Sequence, residues 1–154
     1  MDTCSEHVEL MVEGAPKGSR EPVPARKLPD ETFQILASPG LVEGIAAGDV
    51  VRVLDHVLGT FEVVLRGGNV SIKIISPGSI QPLIKRLQED FERIGGWIDG
   101  KIERAAVFTV PVKVGFRPME ELMARIIAAF PGLVWYYGNV YGADGVTPLK
   151  WWDF

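Results

Sequence analysis

Two amphipathic stripes, each set between strand-like runs, constrain this chain more than any other feature. Ile80, Leu83, Ile84, Leu87, Phe91 and Ile94 recur at three- and four-residue spacing. That puts them on one face of a helix near 79–94, with Lys85, Arg86, Glu89, Asp90 and Glu92 largely outside it. Ser79 is placed to cap its start, and Gly95-Gly96 stops it. Met119, Leu122, Met123, Ile126, Ile127 and Phe130 make the second stripe, near 118–130, with Pro118 at the expected first helical position. Around the stripes lie "NVSIKIIS" (69–76), "WIDGKIER" (97–104), "AAVFTVPVKV" (105–114) and "LVWYYGNVYG" (133–142), all strand-like. The order is strand, helix, strand, strand, helix, strand. This is the split βαβ, or ferredoxin-like, succession, predicted over 69–142.

The first 68 residues read as short strands punctuated by turns. "HVELMVEG" (7–14) alternates, and "ETFQILA" (31–37), "DVVRVLDH" (49–56) and "TFEVVLRG" (60–67) have strand composition. "GAPKGSREPVP" (14–24) is expected to be a mobile connection. Gly67-Gly68 is expected to close a tight hairpin between "TFEVVL" and "NVSIKII". The predicted class is α+β: a small antiparallel sheet or partial barrel (1–68), the βαββαβ unit (69–142) and an aromatic tail (143–154), in one unit.

Composition narrows the chemistry. A formal net charge of −4 fits poorly with generic nucleic-acid binding, which needs clustered Lys and Arg. With Cys4 the only cysteine and His7 and His56 the only histidines, no Cys-based zinc site or internal disulfide can be built. No apolar run is long enough to span a membrane, and the start lacks signal-peptide character. The expectation is a soluble cytoplasmic protein without cofactor or metal, and with neither nucleic acid nor membrane as partner.

Strand alternation assigns faces. Val70, Ile72, Ile74, Ile98 and Ile102 are expected under the helices. Ser71, Lys73, Trp97, Asp99, Lys101, Glu103, Trp135 and Tyr137 are expected to point the other way. Trp beside charge on an open sheet face suits recognition, whereas packing by the N-terminal strands would make the same aromatics core. The last twenty residues hold seven of the fourteen aromatics. Trp151 and Trp152 are adjacent, so they cannot share one face of an extended strand. They are expected to dock the tail, with Asp144 and Asp153 beside them.

Other motifs carry less. The strands matching the central strands of RNA-recognition folds supply only Phe108. "VGFRPM" (114–119) looks like part of an acylphosphatase anion loop, but it precedes the second helix rather than the first. Arg117 is thus expected in solvent. "GLVEGIAAGD" lacks both GxGxxG and a following Lys-Ser/Thr. The acidic "QEDFE" (88–92) reads as a solvated helix face. Asp99, Asp144 and Asp153 are not paired by spacing, so no acid–base couple is predicted.

"ETFQILASPG", "GIAAGDVVRV", "VFTVPV" and "GLVWYYGNVYG" together resemble a bacterial family designated only as a domain of unknown function, from Glu31 to about Gly142. The resemblance implies no activity and no functional residues. Small, acidic and without a catalytic signature, such domains are similar in style to immunity proteins of bacterial toxin systems. The functional expectation is therefore a non-catalytic protein that neutralises a toxin domain, such as a nuclease, by binding it. Its candidate surface is Trp97, Asp99, Glu103, Trp135, Tyr137, Asp144, Trp151, Trp152 and Asp153. The alternative is a small-molecule-binding or enzymatic domain using the cleft between the two halves.

Overall fold

The computed structural model describes residues 6–153; Cys4 and Phe154, the last residue of the predicted tail, lie outside them. Five strands, β1 (Glu6–Met11), β2 (Arg20–Lys27), β3 (Phe33–Ile35), β4 (Val50–Asp55) and β5 (Thr60–Leu65), form an antiparallel sheet in sequence order. Val8, Leu10, Val23, Ala25, Ile35 and Val51 alternate inward to make its core. The sheet curls until its ends approach, and the Met11 N–H donates to the Gly59 carbonyl at 2.9 Å.

The second part of the expected mobile connection, from Arg20, is the start of β2 instead. Its two prolines are tolerated because Pro22 and Pro24 are two residues apart, so both missing donors fall on one edge. The Pro24 carbonyl accepts from the Leu36 N–H at 2.9 Å, which identifies that edge as the one facing β3. There β3 is only three residues long and pairs with Ala25, Arg26 and Lys27, beyond the prolines.

The second sheet contains β6 (Asn69–Ile75), β7 (Trp97–Ile102), β8 (Ala105–Pro111) and β9 (Val134–Tyr137), ordered β7-β8-β6-β9 and antiparallel throughout. Helix α1 (Gln81–Arg93) joins β6 to β7, and α2 (Phe116–Ala129) joins β8 to β9. Both stripes face the sheet. Leu87, Phe91, Met119, Met123, Ile72 and Phe108 are fully buried, and Phe91 stacks on Phe108 with centroids 4.0 Å apart. Each such side chain contributes roughly 1.5–3 kcal/mol by leaving water. Helix α1 starts at Gln81, where the Ile80 N–H donates to the Glu103 carbonyl and Ser79 Oγ accepts the Gln81 N–H at 3.3 Å. Helix α2 starts two residues before Pro118, with Gly115 at its N-cap.

Two more sequence expectations change around these strands. The Gly67-Gly68 hairpin does not form, because β5 and β6 belong to different sheets and these glycines carry the chain between them. A bulge between Ile98 and Gly100 shifts the alternation of β7. Ile98 still packs toward the helices. Lys101 now pairs with Ala106 on the helix side and donates to Gln81 Oε1 at 3.2 Å, while Ile102 turns outward and is 68% exposed.

Candidate functional site

The outer face of the second sheet is largely covered. Ser71, Lys73, Val107 and Thr109 are buried there beneath the segment 38–49, whose Val42, Ile45, Ala46 and Ala47 are buried too. Ser38 anchors the cover: its N–H donates to Asp99 Oδ2 at 2.8 Å, and its hydroxyl lies 2.7 Å from Thr109 Oγ1. Lys73 crosses to the same segment, donating to the Val42 carbonyl at 3.1 Å and to Glu43 Oε2 at 2.7 Å. Asp49 is fully buried. It accepts from the Ala46 and Gly67 N–H groups and from Arg66, and Arg66 also donates to the Gly44 carbonyl. Burial pushes the Asp49 carboxyl above the usual range, against the pull of those donors.

The polar set predicted for recognition is thus partly consumed by packing. Asp99 takes bonds from Ser38, from Thr109 and from Trp97 Nε1, so it serves the junction between the sheets. Trp97 is at the surface, 37% exposed, and Glu103 sits in the exposed β7–β8 turn. Trp135 and Tyr137 are the clearest correction. They pair with Ile74 and Ile72, which fixes them on the helix side; Tyr136, paired with Lys73, takes the outer face. Tyr137 packs edge-on against Phe116 of α2 and against Trp135.

The tail docks on its own chain. Trp151 donates to the Asn139 carbonyl at 2.9 Å and lies beneath Arg66, and Trp152 packs on Phe116 with centroids 5.0 Å apart. Asp153 is exposed. Between β9 and the tail, residues 140–149 form a small arm, closed by a Tyr141–Pro148 bridge and by Leu149 donating to Val140. Asp144 braces it, accepting from the N–H groups of Val146 and Thr147 and from the Thr147 hydroxyl. Those bonds, the hydroxyl foremost, hold the Asp144 carboxyl down at about 2. Arg117 is exposed and pairs with Glu121 on its own helix, and Asp90 is paired by Arg86 and Arg93.

What the fold builds is a cleft of about 1170 Å³ where the curled first sheet meets β9, α2 and the arm. Phe61 and Val63 line it from the first sheet; Trp135, Tyr137 and Tyr141 line it around the edge of β9 on the helix side, and Tyr136 from the outer face of the same strand. Strand β9 is the last of its sheet, so among the described residues one edge of it is unpaired within the sheet. Among the described residues, three carboxylates, Glu13, Glu43 and Glu120, line the cleft with one cation, Arg66. Glu43 is neutralised by Lys73, and Arg66 by Asp49. Glu120 accepts from the Tyr137 hydroxyl at 3.0 Å. Burial and this carboxylate raise the Tyr137 hydroxyl pKa, and burial with Glu43 raises that of Tyr136. Sequence reasoning found Trp135 and Tyr137 but missed Tyr136, Tyr141, Glu43 and Glu120, which come together only through long-range pairing. Among the described residues, no group of three or more His, Cys, Asp or Glu side chains is placed to hold a metal.

A family model described as "Domain of unknown function (DUF4265)" matches residues 21–129. The protein belongs to this family. The match runs from β2 to the end of α2, and so includes Phe61, Val63 and Glu120 of the cleft. A solved structure described as "Novel crystal structure of a hypothetical protein from Neisseria gonorrhoeae" is similar, with a TM-score of 0.70. The likeness covers 90% of this chain and 96% of that one at 18% identity, which shows a shared fold. No curated protein matches the chain.

Proposed function

We propose that this member of the family is a non-catalytic, cytoplasmic binding protein that grips a protein partner in the inter-sheet cleft, most concretely an immunity protein that neutralises a toxin domain. The observation that carries this reading is the cleft itself. Its volume, about 1170 Å³, exceeds the roughly 300–1,000 Å³ typical of small-molecule pockets. It is bordered by aromatic anchors and by a strand edge with no partner in its sheet, the features by which an extended polypeptide is held. We also read the second unit as ferredoxin-like. That reading is supported by the strand order β7-β8-β6-β9 with both crossover helices packed on one face. The competing assignment, a small-molecule or enzymatic cleft, uses the same lining residues, and the volume of the cleft weighs against it.

The experiment expresses the open reading frame adjacent to this gene, alone and together with the protein. Toxicity of the neighbour, relieved by the wild-type protein and not by a folded Trp135→Ala/Tyr141→Ala variant, is the expected result. A harmless neighbour, or rescue unaffected by cleft substitutions, would overturn the proposal.

A further inference from the structure

Resting on that reading, we infer that the aromatic corner of the cleft is a receptor for a basic side chain, an arginine or lysine, presented by the bound polypeptide. Trp135 and Tyr137 meet edge to face, with centroids 5.0 Å apart and planes at 86°. Tyr141 stands beside Tyr137 with centroids 6.4 Å apart and planes at 50°. All three line the cleft, and Tyr141 is 40% exposed. Rings converging at steep angles present faces and edges to a common space, and ring faces attract cations through their quadrupole.

Charge complements this geometry. The cleft's own positive groups are already matched: Arg66 by Asp49, and Lys73 behind the wall by Glu43. Glu13 and Glu120 enter no ion pair among the described residues. Glu120 is tied to the corner through the Tyr137 hydroxyl, so a carboxylate is held where a cation on the rings would meet it. An apolar anchor would gain from the rings but make no use of the exposed Glu120 carboxylate beside them. A guanidinium or ammonium answers both, with its stem along the rings and its charge toward the carboxylate.

The test titrates the full-length protein with acetyl-Gly-Arg-Gly amide and acetyl-Gly-Lys-Gly amide while following the Trp135 and Tyr141 resonances by NMR. The controls are the same tripeptide with citrulline, the neutral isostere of arginine, and tetramethylammonium chloride. The expected result is saturable shifts at both residues with either cationic tripeptide, at least fivefold weaker with citrulline. Glu120→Gln should weaken arginine binding three- to tenfold, with an unchanged melting curve. Equal binding of citrulline, no saturation at 50 mM peptide, or indifference to Glu120→Gln would overturn the inference. So would saturation by tetramethylammonium alone, which would make the corner a site for a free organic cation. Rescue by the wild-type protein that fails in the Trp135→Ala/Tyr141→Ala variant would keep the cleft as the binding surface even then, so the two proposals fail separately.

Discussion

Gly48 and Gly67 touch backbone to backbone: a Cβ built on Gly67 would lie 2.3 Å from the Gly48 carbonyl carbon. This contact lies at the seam where the chain passes from the first sheet to the second. It sits beside the buried Asp49, which accepts the Gly67 N–H at 2.8 Å. Backbone on both sides leaves nothing flexible to yield. Gly67→Ala should destabilise the protein by about 1–3 kcal/mol, the usual range for overpacking. Gly78→Ala, with no atom within 4 Å of the added methyl, should be close to neutral or slightly stabilising. Urea denaturation of the two variants checks the contrast; equal losses would mean that the seam is not tight at Gly67.

Arg66→Met tests the charge at the same seam. Burial already raises the Asp49 carboxyl, and Arg66 opposes that. A carboxyl whose folded pKa is raised above its unfolded value favours folding fully below the unfolded value, and loses that contribution as pH rises through the folded one. Removing Arg66 raises the folded value further. The variant should therefore lose most at neutral pH, about 3 kcal/mol for a buried charge left with backbone donors but no cation, and the gap to wild type should narrow toward pH 4. Denaturation at pH 4, 5.5 and 7 measures it, and a gap independent of pH would rule out this role for Asp49.

The helix stripes should behave as ordinary core. Leu87 is fully buried and Ile126 is 2% exposed. Leu87→Ala and Ile126→Ala should each cost ~2–5 kcal/mol. A loss below about 1 kcal/mol in chemical denaturation would place either residue outside the core.

How much of this was legible in the sequence follows the range of the interactions involved. The stripes of α1 and α2 were readable because a helix face is set by spacing within a dozen residues. The face of Trp135 was not, since it depends on β9 pairing with β6 in the register Ile72 with Tyr137, sixty-five positions away along the chain. Ile102 was misplaced by a single bulged residue near Asp99, which the strand-like composition of "WIDGKIER" does not reveal. Strand β2 was hidden by Pro22 and Pro24, whose cost depends on which edge they face. The candidate cleft is the least legible part, because Glu43, Tyr136, Glu120 and Tyr141 come from four different segments.

Asp144 governs the arm that edges the cleft. Its carboxyl is held at about 2 by Thr147 and by the N–H groups of Val146 and Thr147. A lowered folded pKa gives stability that is present above the unfolded value near 3.8 and lost as pH falls through about 2. Carboxyl NMR should follow Asp144 titrating near 2, with the exchange protection of the Val146 and Thr147 amides, relative to their intrinsic rates, falling over the same range. Asp144→Ala, which removes the acceptor, should bring that loss of protection to neutral pH. Titration near the ordinary aspartate value would mean that the arm is not braced this way.

The docked tail makes a last test, which separates core from interface. Trp152 packs on Phe116, and Phe116 packs on Tyr137, so the tail supports the back of the aromatic corner rather than its open side. Trp151 and Trp152 are each only partly buried. Trp152→Ala should therefore cost less than a fully buried tryptophan, about 2 kcal/mol against the ~3–5 of a complete truncation in a core. For a chain of this length that corresponds to a melting temperature lower by about 4–8 °C, with the fold retained. The Tyr137 and Tyr141 resonances should shift in the same variant, since the ring behind them has lost its backing. Calorimetry and NMR on one sample decide the matter. Outright unfolding would make the tail part of the main core. An unchanged melting curve with unmoved tyrosine signals would mean that it supports neither the fold nor the cleft.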